Sequence, residues 1–408
     1  MNWGLQISQV KLAQFAAITG KHLASISGMN LLATQSGLDY VYEALSPSKP
    51  VIPRVMGVIR MIAQFIDHHD ARWKEFLKRT NHDFYDLPEY AELTAAEEDA
   101  IPMAFYAENR SAACLIPLLI RPIPAVLNAP RDWCDCVSPY GYPGILLSPS
   151  QEELHSFLDA FCHIARERGI VTAFVRLHPL FPLAQGLLEK FGRVVHHGPT
   201  VYINLSDSKE HIWQQMSTNH QRDIKRLIRL GFHSTVDDWS RFHEFIALYH
   251  GNMQRVGAKE QYFFSLEHFE DLRAKLGNRV HLICVLTSTN ELAAAGLMII
   301  TEGIAQHHLG ATAAQYLRRS PSKLVVDFMW RWAQEQSCYA FHFGGGVGAG
   351  EDSLFHFKAG FSPTRGQFYS YRVVVDESKN ATLNQAAKPR VCGLESCDFF
   401  PEYRHLEK

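Results

Sequence analysis

No apolar run in this sequence is long enough to cross a bilayer as a helix: the most apolar stretch, residues 112–126, is broken by Arg121 and by Pro117, Pro122 and Pro124. A charged start followed by an apolar block and a small-residue cleavage site is also missing, so no secretory signal is expected. Neither sign of charge dominates. With 40 Lys plus Arg against 42 Asp plus Glu, the net charge of −2 excludes a strong, non-specific polyanion binder and argues against DNA as a partner, although a local patch could still meet RNA. Eight cysteines at irregular spacing in 408 residues fit reduced core thiols of a cytosolic protein better than a disulfide framework. Cys134-x-Cys136 and Cys392-x4-Cys397 match no metal template, and the pairs His68-His69, His196-His197 and His307-His308 have no partner at zinc-site spacing, so no metal is expected. Phosphate-loop, nucleophile-elbow and dinucleotide-binding signatures are absent as well, which weakens kinase, hydrolase and dehydrogenase readings.

What is present is an ordinary globular composition, 47% apolar and 20% charged, with an alternating pattern of strands and helices. Met56, Ile59, Ile62, Ala63 and Ile66 fall at helical spacing and predict a helix from about Pro53 to Asp67. A hairpin follows, with strands through 105–107 and 112–120 around Glu108-Asn109-Arg110. Ser150 to Glu153 reads as a capping box ahead of a helix buried through Leu154, Phe157, Leu158, Phe161 and Ile164. That helix ends near Gly169, before a strand at 171–177. The second half repeats this order. Helices open at Asp207-Ser208 and cover 241–252, a second hairpin spans 280–301 with Asn290 in its turn, and a strand occupies 304–310. Ser320 is placed to cap the next helix, whose stripe is Leu324, Val325, Phe328, Met329 and Trp332. The segment 293–300 echoes 112–120, which fits two similar halves.

Four segments carry chemistry. Phe343 leads into Gly344-Gly345-Gly346, bare backbone that a ligand can approach closely, and Glu351, Asp352 and Lys358 follow within fifteen residues. A mobile turn is the bland alternative, but the density of functional groups favours a site where Lys358 stabilises an oxyanion or a phosphate. Arg318, Arg319, Ser322 and Lys323 surround a helix start that could hold a phosphate, although a capped helix with a solvated basic rim has the same composition. Arg222, Lys225, Arg226 and Arg229 share a helical face, usually just a solvated one, yet enough cation to attract a phosphorylated substrate. Ser138-Pro139-Tyr140-Gly141-Tyr142-Pro143-Gly144 is either a rigid turn or, through Tyr140 and Tyr142, the wall of a polar cleft.

The run 307–312 (His-His-Leu-Gly-Ala-Thr), the Ser320-Pro321-Ser322-Lys323 start, Phe343-Gly344-Gly345-Gly346 and Asp352 to Phe361 together resemble the FemABX-type transferases of the GCN5-related N-acetyltransferase-like (GNAT) superfamily, with a BioF2-like acetyltransferase domain. Residues 81–90 and 138–144 resemble matching parts of the family's first half, and the likeness spans about residues 75–376. The resemblance implies an α/β (α+β) chain of two tandem GNAT-like domains, with mixed sheets flanked by helices. Its parts would be a helical N-terminal extension at 1–72, a first domain at 73–200, a donor-binding and catalytic second domain at 201–376, and a tail at 377–408. The implied activity is transfer of an acyl or aminoacyl group onto an amine, in peptidoglycan or polysaccharide biosynthesis, with aminoacyl-tRNA or acyl-CoA as donor. Lys358 falls on the family's Phe-Lys motif; Asp352, Glu351 and His308 are candidates for the base. Gly344, Gly345, Gly346, Arg318, Arg319, Ser322 and Lys323 would hold the donor, and Tyr140, Tyr142, Arg222, Lys225 and Arg226 the acceptor, a small-molecule or lipid-linked amine that could bring the protein to a membrane surface. No long charged helical hairpin is evident in the second half, a departure from better-known members that leaves an acyl thioester as a serious rival to aminoacyl-tRNA. A non-catalytic binding module on the same fold is the alternative reading.

Overall fold

The computed structural model describes residues 32–33, 40–42, 59–388 and 399–406. Their backbone forms one mixed sheet of fifteen strands. After the short strands Leu32–Ala33 and Tyr40–Tyr42, the order across it is Ile59–Asp67, Ile101–Glu108, Ala113–Pro122, Cys134–Val137 and Ile170–Leu177. Arg365–Val374 and Arg193–Asn204 come next, then Ala340–Gly344, Ile304–Thr312, Leu292–Thr301, Val280–Leu286 and His233–Val236. Leu146–Ser148 pairs alongside Ala113–Pro122.

Both halves run through the same sequence of elements. A strand, Ile59–Asp67 or His233–Val236, leads to two helices, Ala71–Leu77 and Pro88–Glu97 in the first half, Phe242–Arg255 and Leu266–Leu276 in the second. A hairpin and a third strand follow. A helix, Leu154–Glu167 or Ser322–Glu335, then crosses over to a strand parallel to that third one. Each half's last strand is inserted against the other half: Arg193–Asn204 pairs with Ala340–Gly344, Arg365–Val374 pairs with Ile170–Leu177, and the two pair with each other. The sheet is therefore continuous through residue 200, where the sequence suggests a boundary between halves.

Alternation along the strands sorts side chains to two buried faces. Ala104, Tyr106, Leu115, Leu297 and Ile299 pack with Trp73, Phe76, Phe84, Phe245 and Phe269 in a core that both halves share. Opposite them, Phe105, Cys114 and Ile116 meet Phe157 and Phe161 of Leu154–Glu167, while Met298, Phe341 and Phe343 meet Val325, Met329 and Trp330 of Ser322–Glu335. The Glu97 carboxylate 2.6 Å from His268 Nδ1 and the ion pair of Lys275 with Glu92 (2.9 Å) tie the helices of the shared face together.

Three local expectations differ from the structure. The helix expected over 53–67 is, in its described part, the strand Ile59–Asp67, which pairs with Ile101–Glu108. Met61 and Phe65 face one core and Ile66 the other, so apolar residues on both sides of a strand imitate helical spacing. The residues 150–153 form no capping box: Glu153 accepts from Asn109 Nδ2 (3.1 Å) and Gln151 holds the 182–184 loop, so both side chains are committed to tertiary contacts. Ser320 sits at φ +56° and offers its carbonyl, not its hydroxyl, to Lys323 N (3.1 Å).

Phe157 is fully buried on Leu154–Glu167, against the first half of the sheet. Phe157→Ala is expected to cost about 3–5 kcal/mol. Urea unfolding checks this, and a loss well under 1 kcal/mol would contradict the packing described.

Candidate active site

Strands Ile304–Thr312 and Ala340–Gly344 run parallel, but their pairing covers only Ile304 to Gln306 against Ala340 to His342. Beyond that point the first strand stays with Leu292–Thr301, while Gly344 shifts register to pair with Val201. The two strands part at their carboxyl ends, the place where open α/β sheets take ligands. At the parting, Leu297 pairs with Leu309 and Met298 with His307, leaving His308 as an extra residue in a β-bulge.

The glycine segment leaves this parting. Gly344 adopts φ +75°, and a Cβ there would lie 3.0 Å from the Tyr142 hydroxyl oxygen. At Gly346 a Cβ would meet Gly350 O at 2.1 Å and Asp352 Oδ1 at 2.3 Å, so no side chain fits. Asp352 folds the loop back on itself: its carboxylate accepts from Val347 N (3.2 Å) and caps Ser353–Ala359 through Phe355 N (2.9 Å), bonds that hold its pKa below the usual carboxylate value.

That helix carries Lys358 inward. The residue is 9% exposed, and its ammonium donates to Gly345 O at 2.6 Å. Among the described residues no carboxylate is hydrogen-bonded to it. Burial pushes its pKa down to about 8, with the Asp352 charge opposing. An ammonium has three donors, so two remain for a ligand atom. Gly345 is fixed from its other side by the Tyr142 hydroxyl, which accepts from Gly345 N at 3.1 Å.

Tyr142 belongs to the 138–144 loop, which buried groups of the first half hold in place. Arg176 Nη1 donates to Ser138 O (2.9 Å), and Asp86 Oδ1 accepts from Gly144 N (2.9 Å). Burial raises the Asp86 pKa to about 6. Tyr140 lies at the exposed end of this loop, under the Arg176 guanidinium. Tyr140 and Tyr142 are thus on one loop, with Tyr142 alone reaching the glycine segment.

His308 lies edge-on to Phe84 with ring centroids 5.5 Å apart, and burial beside His268 pushes its pKa down to about 3. The charge of Lys358 acts instead on His307, lowered to about 4 mainly by burial, and on His342. Arg318 and Arg319 are exposed, with Arg319 over the Phe232 ring. Ser322 is half-buried at the start of its helix. Lys323 is buried and already paired, with Asp223 Oδ2 at 2.6 Å and Asn219 Oδ1 at 3.2 Å. Arg222, Lys225 and Arg226 project outward from Thr218–Arg229. The same helix places His220 inward, where its Nε2 meets Phe357 O (2.9 Å), so the basic face borders the helix of Lys358 without entering the crevice.

Sequence reasoning missed a second cluster. Asp83 Oδ2 receives His178 Nε2 at 3.0 Å and Gln306 Nε2 at 2.5 Å, and Gln306 Oε1 meets His342 Nδ1 at 2.8 Å. All four residues are buried. The available signal was a polar residue inside each of two apolar strands, Gln306 in 304–312 and His342 in 340–344, since a buried polar group needs partners supplied from elsewhere. Among the described residues no group of three His, Cys, Asp or Glu side chains is arranged to hold a metal. None of the described helices is long and apolar enough to cross a membrane.

With this geometry established, comparisons place the fold. Residues 214–358 match the family model described as an acetyltransferase (GNAT) domain. No curated protein matches the chain in sequence. The crystal structure of FemX is similar at TM-score 0.61 and 12% identity, over 78% of this chain and 98% of that one. The structure of L-PGS from Bacillus licheniformis gives TM-score 0.50 and 14% identity, over 78% of this chain and 96% of that one. The FemABX-like GNAT fold read from the sequence is the fold of this chain.

The buried ammonium has a measurable signature. The unfolded chain keeps the Lys358 proton up to about 10.5 and the folded protein only to about 8, so between these values the unfolded state binds more protons and stability rises with pH. Replacing the charge by Lys358→Met removes this dependence. The melting temperature of the variant relative to wild type should be highest at pH 7 and fall as pH approaches 10.5. A difference that does not change with pH would contradict a desolvated ammonium.

Proposed function

We propose that the protein is an N-acyltransferase that moves an acyl or aminoacyl group from an activated carbonyl, a thioester of coenzyme A or the ester of an aminoacyl-tRNA, onto an amine. The acceptor amine belongs to a cell-envelope precursor or an amino sugar, a reading that the FemX-like fold favours. A single observation carries the proposal: a lone ammonium, Lys358, is held out of water beside bare backbone where two parallel strands part.

The chemistry follows from that placement. The amine nitrogen attacks the carbonyl carbon, a C–N bond forms, and the C=O electron pair moves to oxygen. A neighbouring cation in a low-dielectric crevice stabilises this oxyanion far more than it would in water. Collapse restores the carbonyl and expels the thiolate or the ribose oxygen. Tyr142 and Asp352 set the loop so that Gly345 O aims the ammonium. The desolvation that lowers the Lys358 pKa leaves the group mostly charged at neutral pH, as this role requires.

Thr218–Arg229 presents Arg222, Lys225 and Arg226 beside the helix of Lys358, and Arg318 and Arg319 lie exposed, Arg319 over the Phe232 ring just past its far end. These are the cations on hand for phosphates of a coenzyme, a tRNA end or a nucleotide-linked acceptor. Lys323, neutralised by Asp223, is the least available of them.

Incubation with acetyl-CoA, longer acyl-CoAs or aminoacyl-tRNA and a set of amino sugars and peptide amines should give amine-dependent release of thiol or free tRNA. Lys358→Ala should slow release by about 10²–10³-fold while the far-ultraviolet circular dichroism is unchanged. The wild-type rate should fall as pH rises through about 8 and the ammonium is lost. Full activity in Lys358→Ala would remove the ammonium from the chemistry, and donor binding without release under any condition would favour a non-catalytic module.

A further inference from the structure

The cluster of Asp83, His178, Gln306 and His342 is wired in one direction. Leu180 N donates to His178 Nδ1 at 3.1 Å, so the proton of that ring is on Nε2, which donates to Asp83 Oδ2 at 3.0 Å. The Gln306 amide nitrogen donates to the same carboxylate oxygen at 2.5 Å, which turns the Gln306 carbonyl oxygen toward His342. A carbonyl oxygen only accepts, so the His342 proton is on Nδ1, 2.8 Å away. His342 Nε2 is left with a bare lone pair, and among the described residues it has no hydrogen-bond partner, although the residue is 0% exposed.

An unpartnered buried acceptor is destabilising, because it gives up its hydrogen bond to water and gains none in return. Structural need does not account for it, since an apolar side chain would fill the same interior strand position without that cost. Three buried polar side chains from the 83–86 turn, the 178–180 loop and the 304–312 strand are instead used to select the tautomer that leaves this buried lone pair unpaired. The position is equally specific. Phe341 and Phe343 face the helix Ser322–Glu335, so His342 faces the opposite side, toward the first half. Its ring is 5.2 Å from that of Tyr142, whose hydroxyl holds Gly345 N, whose carbonyl in turn holds Lys358 Nζ. The groups facing His342 are thus Asp83 and His178 through Gln306, Tyr142 on its flank, and Lys358 across the glycine segment.

We propose that His342 Nε2 is the proton acceptor for the attacking amine, and that Gln306 and Asp83 are the positioning residues that keep its lone pair available. This rests on the transferase reading above. When the amine nitrogen bonds to the carbonyl carbon it becomes a positively charged N–H donor beside the new oxyanion. Its proton passes to Nε2, leaving a neutral nitrogen and an imidazolium. As the C–S or C–O bond breaks, the imidazolium returns that proton to the departing sulfur or ribose oxygen, so the side chain ends as it began. The two cations, Lys358 and the transient imidazolium, coexist only while the oxyanion is present between them.

Two measurements test the assignment. In wild-type protein labelled with ¹⁵N-histidine, nuclear magnetic resonance should find one buried imidazole protonated on Nδ1 and bare on Nε2, absent in His342→Gln. A His342 ring protonated on Nε2 overturns the proposal without recourse to activity. With whichever of acetyl-CoA or aminoacyl-tRNA supports amine-dependent release, His342→Gln should lower kcat by about 10²–10⁴-fold with little change in KM and remove the acidic limb of the pH profile. Gln306→Met, which frees the ring to change tautomer, should give a smaller loss and shift that limb. A His342→Gln rate within threefold of wild type, with the pH profile intact, removes His342 while leaving the transferase reading in place. No amine-dependent release by wild type with any donor removes both.

Discussion

The site depends on one electrostatic constraint: an ammonium taken out of water without a carboxylate to meet it. Among the described residues, Lys358 is compensated by a carbonyl dipole, Gly345 O, and by the more distant charge of Asp352. A buried ion in that state is costly. The surrounding features make sense as the means of keeping it there. Asp352 caps the helix that delivers the side chain, glycine at 346 leaves room for that cap, and Tyr142 fixes the peptide whose oxygen receives the ammonium.

Exchange of the terminal strands makes the site a property of the whole chain. Arg365–Val374 and Arg193–Asn204 each complete the sheet of the opposite half, which brings the 83–86 turn and the 138–144 loop of the first half over the strand parting of the second. The amide orientation of Gln306, and through it the tautomer of His342, is set by a carboxylate more than two hundred residues earlier. Lys358 is likewise held by a peptide that a first-half tyrosine fixes. Disturbing the packing between halves would therefore alter proton positions as well as stability.

Much of this was legible in the sequence, and the parts that were not have common physical causes. The second hairpin, the Ser322–Glu335 helix and the glycine segment follow from local pattern, because turn residues and apolar period agree with the tertiary structure, whereas the part of Asp352 as cap of the Lys358 helix emerges only from the fold. Ile59–Asp67 has the apolar spacing of a helix because burial of both its faces removes the alternation that marks a strand. Lys323 looked like a free cation because its partners, Asn219 and Asp223, lie a hundred residues away. The Asp83, His178, Gln306 and His342 chain was invisible for the same reason: each member is unremarkable in its own segment, and only the fold brings them within hydrogen-bond reach.

The central claim concerns where a reacting carbonyl sits, and it is tested most directly by a crystal structure of the protein with an unreactive donor mimic. Suitable mimics are a coenzyme A thioether bearing a ketone in place of the thioester, or a terminal adenosine carrying an amide-linked amino acid. The account predicts that the mimic's carbonyl oxygen lies within hydrogen-bond distance of Lys358 Nζ, beyond the last paired residues Gln306 and His342. A mimic bound elsewhere, with the strand parting closed and Lys358 still donating only to Gly345 O, would contradict it.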